Sequence, residues 1–138
     1  MERAKNIGID ILTRHEKKTN DAVMFDIDDT LIFYNEIPNH PIIELANISK
    51  SLGYKVIIIT ARPDFIENRR NTEYELKKHN VSFDLLFYTK HNNKGNIKRK
   101  LNSNFVLSVG DMWTDVTDTK HYIKLPCKYL SETKFKFA

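Results

Sequence analysis

The sequence predicts an α/β fold, a three-layer α/β/α sandwich around a mostly parallel central sheet. Three observations carry that prediction. Short apolar runs alternate with longer amphipathic segments along the whole chain. The segments have the lengths of single strands and helices, a pattern that favours parallel strands covered by helices on both faces. Three of the apolar runs end in polar residues able to do chemistry, as happens where parallel strands deliver ligand-binding groups to one edge of a sheet.

Residues 2–18 read as a helix, with Ile7, Ile11 and Leu12 spaced for one face. The run Ala22-Val23-Met24-Phe25-Asp26-Ile27 is apolar up to its acid and reads as a buried strand. Asn39-His40-Pro41 opens a second helix, with Pro41 in the first turn, and Gly53 closes it. Lys55 to Thr60 holds Val-Ile-Ile-Ile, the strongest β signal in the chain. Residues 63–79 form an amphipathic helix starting at Pro63. Asp84 to Tyr88 is a short strand, and Asn93 to Leu101 a basic helix. Phe105 to Val109 is a strand ending at Gly110-Asp111. Asp115 to Lys120 is expected to be helical. His121 to Leu125 is expected to be the last strand, stopped by Pro126.

No repeat, low-complexity tract or linker interrupts this order, and 138 residues is about the size of one domain. We therefore expect a single domain over 1–138, with 1–20 as a helical extension packed on its core. The 41% hydrophobic content suffices for one core, and a net charge of +4 mildly favours anionic substrates. Cys127 is the only cysteine, which excludes an intrachain disulfide and suits a packing role. No apolar run approaches the roughly 20 residues of a membrane span, and the polar start lacks the continuous apolar segment of a secretory signal. A cytoplasmic location, with no membrane partner, is the expectation.

The chemistry lies in the strand ends. The first offers Asp26, Asp28 and Thr30, the second Thr60 and Arg62, the strand at 105–109 Asp111 and Asp115. A parallel sheet brings these groups to one edge. Carboxylates so close repel unless a cation or proton intervenes, and hard oxygen ligands suit Mg²⁺. One carboxylate can attack phosphorus, and a second can protonate the leaving oxygen and then activate water. Thr60 and a lysine would steady the phosphoryl oxygens.

Three segments resemble motifs of the haloacid dehalogenase-like superfamily. They are Phe25-Asp26-Ile27-Asp28-Asp29-Thr30-Leu31, Ile58-Ile59-Thr60-Ala61-Arg62-Pro63 and Val109-Gly110-Asp111-Met112-Trp113-Thr114-Asp115. Lys94 falls where that superfamily's third-motif lysine belongs, and Lys98 is the other candidate. Within the superfamily the likeness is to the acid-phosphatase group. Gly110-Asp111-Met112-Trp113-Thr114-Asp115 is similar to that group's Gly-Asp-Gln-Trp-Ser-Asp, and Ile123-Lys124-Leu125-Pro126 followed by Tyr129 is similar to its end. Arg62, Arg70 and Thr72 echo its pattern after the second motif.

The resemblance implies a Rossmann-like core and a Mg²⁺-dependent phosphomonoester hydrolase. Asp26 would be nucleophile and metal ligand. Asp28 would be general acid/base and would offer its backbone carbonyl to the metal. Thr60 would hydrogen-bond the phosphoryl group, and Lys94 would offset the charge of Asp26 and the phosphate. Asp111 would complete the metal site. Asp115 would act on the metal directly or through water, and would hold Lys94. Arg62 would bind substrate by meeting a phosphate or a substrate acid, or would form a structural ion pair instead. Asp29 stands where many members have glycine, and it is assigned no catalytic role.

The gaps between motifs leave no room for a cap domain, only for a small flap around Phe33 to Pro38. An open site accepts a small phosphate ester or a macromolecular phosphorylated end, or gains a lid by oligomerising. Phe33, Tyr34 and Trp113 would stack on a substrate ring or simply pack. The five histidines lack metal-site spacing. Two finer readings are a polynucleotide end phosphatase, using the basic segment 90–100, and a nucleotidase. The reading from another class is a non-catalytic phosphate-binding protein on the same fold.

Overall fold

The computed structural model describes residues 1–138. Strand β1 (Asp21–Phe25) is buried at all of its positions, and only the middle of a sheet can hide both faces of a strand. It pairs in parallel with β2 (Lys55–Thr60) on one side and with β4 (Asn104–Gly110) on the other. Beyond β2 lies β3 (Leu85–Tyr88), and beyond β4 lies β5 (His121–Lys124), both parallel. An antiparallel edge strand, β6 (Lys136–Phe137), completes a six-stranded sheet of order β3-β2-β1-β4-β5-β6.

The alternation of side chains across the sheet assigns the helices to layers. Val23, Phe25, Val56 and Ile58 share one core with α1 (Glu2–Arg14), α2 (His40–Ser51) and Leu76 of α3 (Ile66–Lys78). Ala22, Met24, Ile57 and Ile59 point the other way, onto Ile97 of α4 (Lys94–Lys100) and the following Leu101. The result is the expected α/β/α sandwich. The chain winds outward from β1 through β2 to β3, then crosses back over the opposite face to β4. That reversal opens a crevice beyond the carboxyl ends of β1 and β4, where sheets of this kind bind ligands.

Beyond β1 the chain turns tightly. Isolated bridges join Asp28 to Ile32 and Ile32 to Pro38, so the segment after β1 folds back as a small flap with exposed Tyr34 at its tip. No further domain separates β1 from β2 or β2 from β4. At the end of α2, Gly53 turns the chain at φ +92°, a left-handed conformation that glycine adopts without steric cost.

Several boundaries differ from expectation. α1 stops at Arg14, not 18, because Lys18 N–H is drawn to the Asp21 carboxylate at 2.7 Å. α3 begins at Ile66, and Pro63 and Asp64 lie before it outside any regular element. The helix expected over 115–120 does not form. Only a 3-10 turn at Trp113–Asp115 is present, and the carbonyls of Asp115 and Thr117 instead accept bonds from the Lys98 ammonium at 2.6 and 2.7 Å. Asp118 follows at φ +53°. His121–Lys124 is not the last strand, since the chain returns as β6 along its free edge. No helix is long and apolar enough to cross a membrane.

Candidate active site

Asp26 is the first residue past β1, and its N–H still bonds the Val109 carbonyl of β4 at 3.0 Å. Its side chain therefore starts from the switch point of the sheet. Asp111 follows β4 directly, and Asp115 comes from the 3-10 turn beyond it. One carboxylate oxygen from each of the three residues lies within 4.8 Å of the others, and all three residues are buried. Gly110 makes this approach possible. A Cβ placed there would fall 2.5 Å from Asp115 Cγ, closer than real Cβ atoms come to a neighbour.

Lys94, at the start of α4, enters the cluster from the side. Its ammonium donates to Asp26 Oδ1 at 2.8 Å and to Asp115 Oδ1 at 2.6 Å, with no exposed surface. Burial alone presses it toward losing its proton, but the charges of Asp26 and Asp115 and the bonds to them hold its pKa above the ordinary lysine value. Asp115 Oδ2 also accepts the Met112 N–H at 2.9 Å, which fixes that carboxylate in one orientation. Thr30 Oγ donates to Asp26 Oδ2 at 3.3 Å.

Burial dominates the electrostatics of the acids. It pushes the Asp26 carboxyl up to about 6, and the nearby Lys94 charge only partly offsets it. Asp115 is likewise pushed up to about 6 by burial and then by the charge of Asp26. Asp111 is raised for the same reason. Three buried carboxyl groups served by one ammonium are left with surplus negative charge. That donor set fits a hard divalent cation, and Asp26, Asp111 and Asp115 could hold one.

The other predicted residues fall around this cluster, each in its own environment. Thr60 ends β2 fully buried, and its hydroxyl accepts the Arg62 N–H at 3.2 Å, leaving its own proton to donate. The Asp28 carboxylate does not join the acidic cluster. It faces the crevice, 57% exposed, and takes the Arg62 guanidinium through Nε at 3.0 Å and Nη2 at 2.8 Å. Arg62 also reaches Glu75 and Thr72 of α3. The charged partners hold it fully protonated despite its burial.

Lys98 lies one helical turn from Lys94 but bonds none of the acids' carboxylate oxygens. Its three protons go to Ser108 Oγ at 2.9 Å and to the carbonyls of Asp115 and Thr117. Burial pushes it down to about 8. A bulge between β1 and β4 turns Ser108 toward α4, so Lys98 ties the strand to the loop that carries Asp115. Lys94 thus holds the position next to Asp26, and Lys98 braces the backbone behind it. The basic segment 90–100 is split: Lys94 and Lys98 are buried, while Lys90, Arg99 and Lys100 stay exposed, Arg99 paired with Asp118.

A cleft of about 420 Å³ opens over the acids. Asp26, Asp28, Asp29, Arg62, Asp111 and Met112 line its floor and walls, with His91 at one side and Tyr34 and Tyr129 at the mouth. Asp29, at φ +59°, accepts the Tyr34 N–H at 2.9 Å and so shapes the flap. The Lys128 ammonium sits 3.6 Å from the centre of the Tyr34 ring and 5.2 Å from that of Tyr129. Trp113 lies outside the cleft, packed edge-on against Tyr122, and Phe33 is half-buried. Tyr129, Lys128 and Glu75 were not singled out as site residues in the sequence. Lys128 and Tyr129 become neighbours of Tyr34, and Glu75 of Arg62, only through the fold, so the sequence carried no local signal for them.

The fold and site define an α/β sandwich with a buried carboxylate–lysine cluster at its switch point. No protein-family model and no curated protein matches the sequence. Solved structures do resemble it in fold. A chain in the structure of a Pnkp1/Rnl/Hen1 complex shares 24% identity over 72% of this chain and 42% of its own length, with a TM-score of 0.62. A chain in the structure of the Pnkp1/Rnl/Hen1 RNA repair complex shares 24% identity over 75% of this chain and 40% of its own, with a TM-score of 0.59. This chain therefore spans about two fifths of the chains it resembles.

Proposed function

We propose that this protein is a Mg²⁺-dependent phosphomonoester hydrolase of the haloacid dehalogenase type, acting through an aspartyl-phosphate on Asp26. The observation that carries this reading is the Lys94 ammonium, fully buried between Asp26 and Asp115 and beside Asp111. Purely structural ion pairs rarely accumulate three buried acids on one base at the mouth of a sheet.

In this reading Asp26 Oδ attacks phosphorus from the floor of the cleft. Lys94 keeps Asp26 ionised against its burial and shares the charge of the incoming phosphate. Thr60 donates its free hydroxyl proton to a phosphoryl oxygen. Asp28, on the wall of the cleft, gives a proton to the leaving oxygen and later takes one from the attacking water. A divalent cation on Asp26, Asp111 and the Asp28 carbonyl would neutralise the phosphoryl oxygens. Asp115 has both oxygens committed to Lys94 and Met112 N–H, which favours contact with the cation through water.

The test is hydrolysis of p-nitrophenyl phosphate with and without Mg²⁺, for the wild type and Asp26→Asn. Mg²⁺-dependent release of p-nitrophenol that the substitution abolishes is expected. Turnover surviving in Asp26→Asn would remove Asp26 from the nucleophile's role.

A finer reading concerns the substrate. The uncapped cleft, with Tyr34, Lys128 and Tyr129 at its mouth, favours a phosphorylated polynucleotide end over a small sugar phosphate. The likeness in fold to a chain of an RNA repair complex points the same way.

A further inference from the structure

Arg62 makes more contacts than a free phosphate-binding arginine would keep. Its Nε and Nη2 donate to both oxygens of Asp28, at 3.0 and 2.8 Å. Nη2 also donates to Glu75 Oε1 at 2.8 Å, and Nη1 to Thr72 Oγ at 3.1 Å. Of the five N–H groups of a guanidinium, four are spent, leaving a single N–H on Nη1. Glu75 and Thr72 stand one turn apart on the same face of α3, so their grip on Arg62 is as rigid as the helix. Thr72 is fully buried and Glu75 largely so.

We infer that Glu75 and Thr72 are positioning residues that lock Arg62 as a bracket behind Asp28, and that this bracket aims Asp28 as the base of the hydrolytic half-reaction. The inference rests on the phosphatase reading above. Both Asp28 oxygens accept N–H groups from Arg62, so the carboxyl is presented as a proton acceptor, the form that takes a proton from water. Its outer side stays open to the cleft, where water arrives. In the step served, a water oxygen bonds to phosphorus and the bond from phosphorus to Asp26 Oδ breaks. Inorganic phosphate and the free Asp26 carboxylate result, and the water proton passes to Asp28. Arg62 then acts through Asp28 and not on the phosphate, the second of the two roles its position in the sequence allows.

With p-nitrophenyl phosphate, whose leaving group departs without needing the Asp28 proton, loosening the bracket slows the second half-reaction while sparing the first. The measurement is rapid-mixing and steady-state hydrolysis of p-nitrophenyl phosphate by Glu75→Ala, Thr72→Val and Glu75→Gln, with folding checked by thermal unfolding. In Glu75→Ala, kcat is expected to fall about tenfold and KM by a similar factor, so that kcat/KM hardly moves. A burst approaching one p-nitrophenol per protein then marks accumulated phospho-Asp26. Thr72→Val shows the same pattern more weakly. Glu75→Gln keeps an oxygen for Nη2 and recovers most of the turnover. A raised KM at unchanged kcat would mean that Arg62 holds the substrate phosphate, and would overturn the inference. Loss of kcat/KM without a burst, or unchanged kinetics, would overturn it equally. Absence of any turnover in the wild type would instead sink the phosphatase reading, and this inference with it.

Discussion

The Lys94 ammonium stands 2.8 Å from Asp26 Oδ1 across 68 residues of chain, and neither side chain reaches solvent to any useful extent. A contact this far apart in sequence and this deeply buried is made by the sheet, which brings the start of α4 under the end of β1. Replacing Lys94 with Met keeps the volume but leaves Asp26 and Asp115 facing each other without a cation. Removing one partner of a buried pair costs about 3 kcal/mol or more. Chemical denaturation of the metal-free protein at pH 7.5 should show that loss. The loss should shrink at pH 5, where the two carboxyl groups take up protons. Phosphatase turnover should fall by about a hundredfold or more.

A proton and a cation held by Asp26, Asp111 and Asp115 would compete for the same acids. Burial pushes Asp26 and Asp115 up to about 6 in the folded protein, above the usual aspartate value of about 4. Between these values the folded chain binds more protons than the unfolded one, so these two groups subtract stability as pH rises through that window. Asp21 has the opposite sign. Against its burial, Asn104, the Lys18 N–H and His15 hold its carboxylate low, and its contribution is lost as pH falls. A divalent cation bound at the cluster would displace the protons on Asp26 and its neighbours. The rise in Tm on adding Mg²⁺ should be large at pH 7.5 and fade below about 6. A Mg²⁺ shift that is flat from pH 5 to 8 would place the ion elsewhere.

Much of this site was legible in the sequence. Asp26, Thr60 and Asp111 each end or directly follow an apolar run, and a buried strand has only one way to continue into a parallel sheet. The meeting of Asp26 and Asp111 follows from strand order, with Thr60 at the end of the neighbouring strand β2. The roles of Lys94 and Lys98 were not separable in this way. Both sit one helix turn apart and both are buried, and only the tertiary placement of α4 shows that Lys94 reaches Asp26 while Lys98 is taken up by Ser108 and the carbonyls of Asp115 and Thr117. The missing helix at 115–120 has the same origin. Its local pattern is helical, but Lys98 captures the carbonyls that the helix would have used. Tyr129 and Glu75 escaped because their partners, Lys128 beside Tyr34 and Arg62, become neighbours only through tertiary packing.

Gly110 tests how tightly the cluster is assembled. Its α-carbon lies against the Asp115 side chain with no room for a methyl group. Gly110→Ala should push Asp115 off Lys94 and the Met112 N–H, destabilising the protein by about 2 kcal/mol and lowering activity well beyond that loss of fold. Thermal unfolding and turnover measured on the same sample separate the two effects. Wild-type activity in a folded Gly110→Ala protein would show that Asp115 need not be fixed.

The mouth of the cleft carries the reading of the substrate. Tyr34 is 78% exposed and Tyr129 76%, unusual values for large rings with no packing duty, and both line the cleft that holds Asp26. One cation, the Lys128 ammonium, lies near both rings, so a base that stacks on the face it covers must displace it or use the opposite face. A nucleobase stacked on an aromatic side chain gains about 1–3 kcal/mol, enough for a tenfold preference or more. The wild type should therefore favour a phosphorylated oligonucleotide end over glycerol phosphate. Tyr34→Ala combined with Tyr129→Ala should reduce that ratio of kcat/KM values by about tenfold, and the corresponding Phe substitutions should preserve it. Rising salt should weaken the preference too, since Lys128 meets the polyanion at the same lip. If both substrates lose equally in the Ala variants, the rings shape the flap and do not read the base. The open cleft would then have to select its substrate through the phosphate alone.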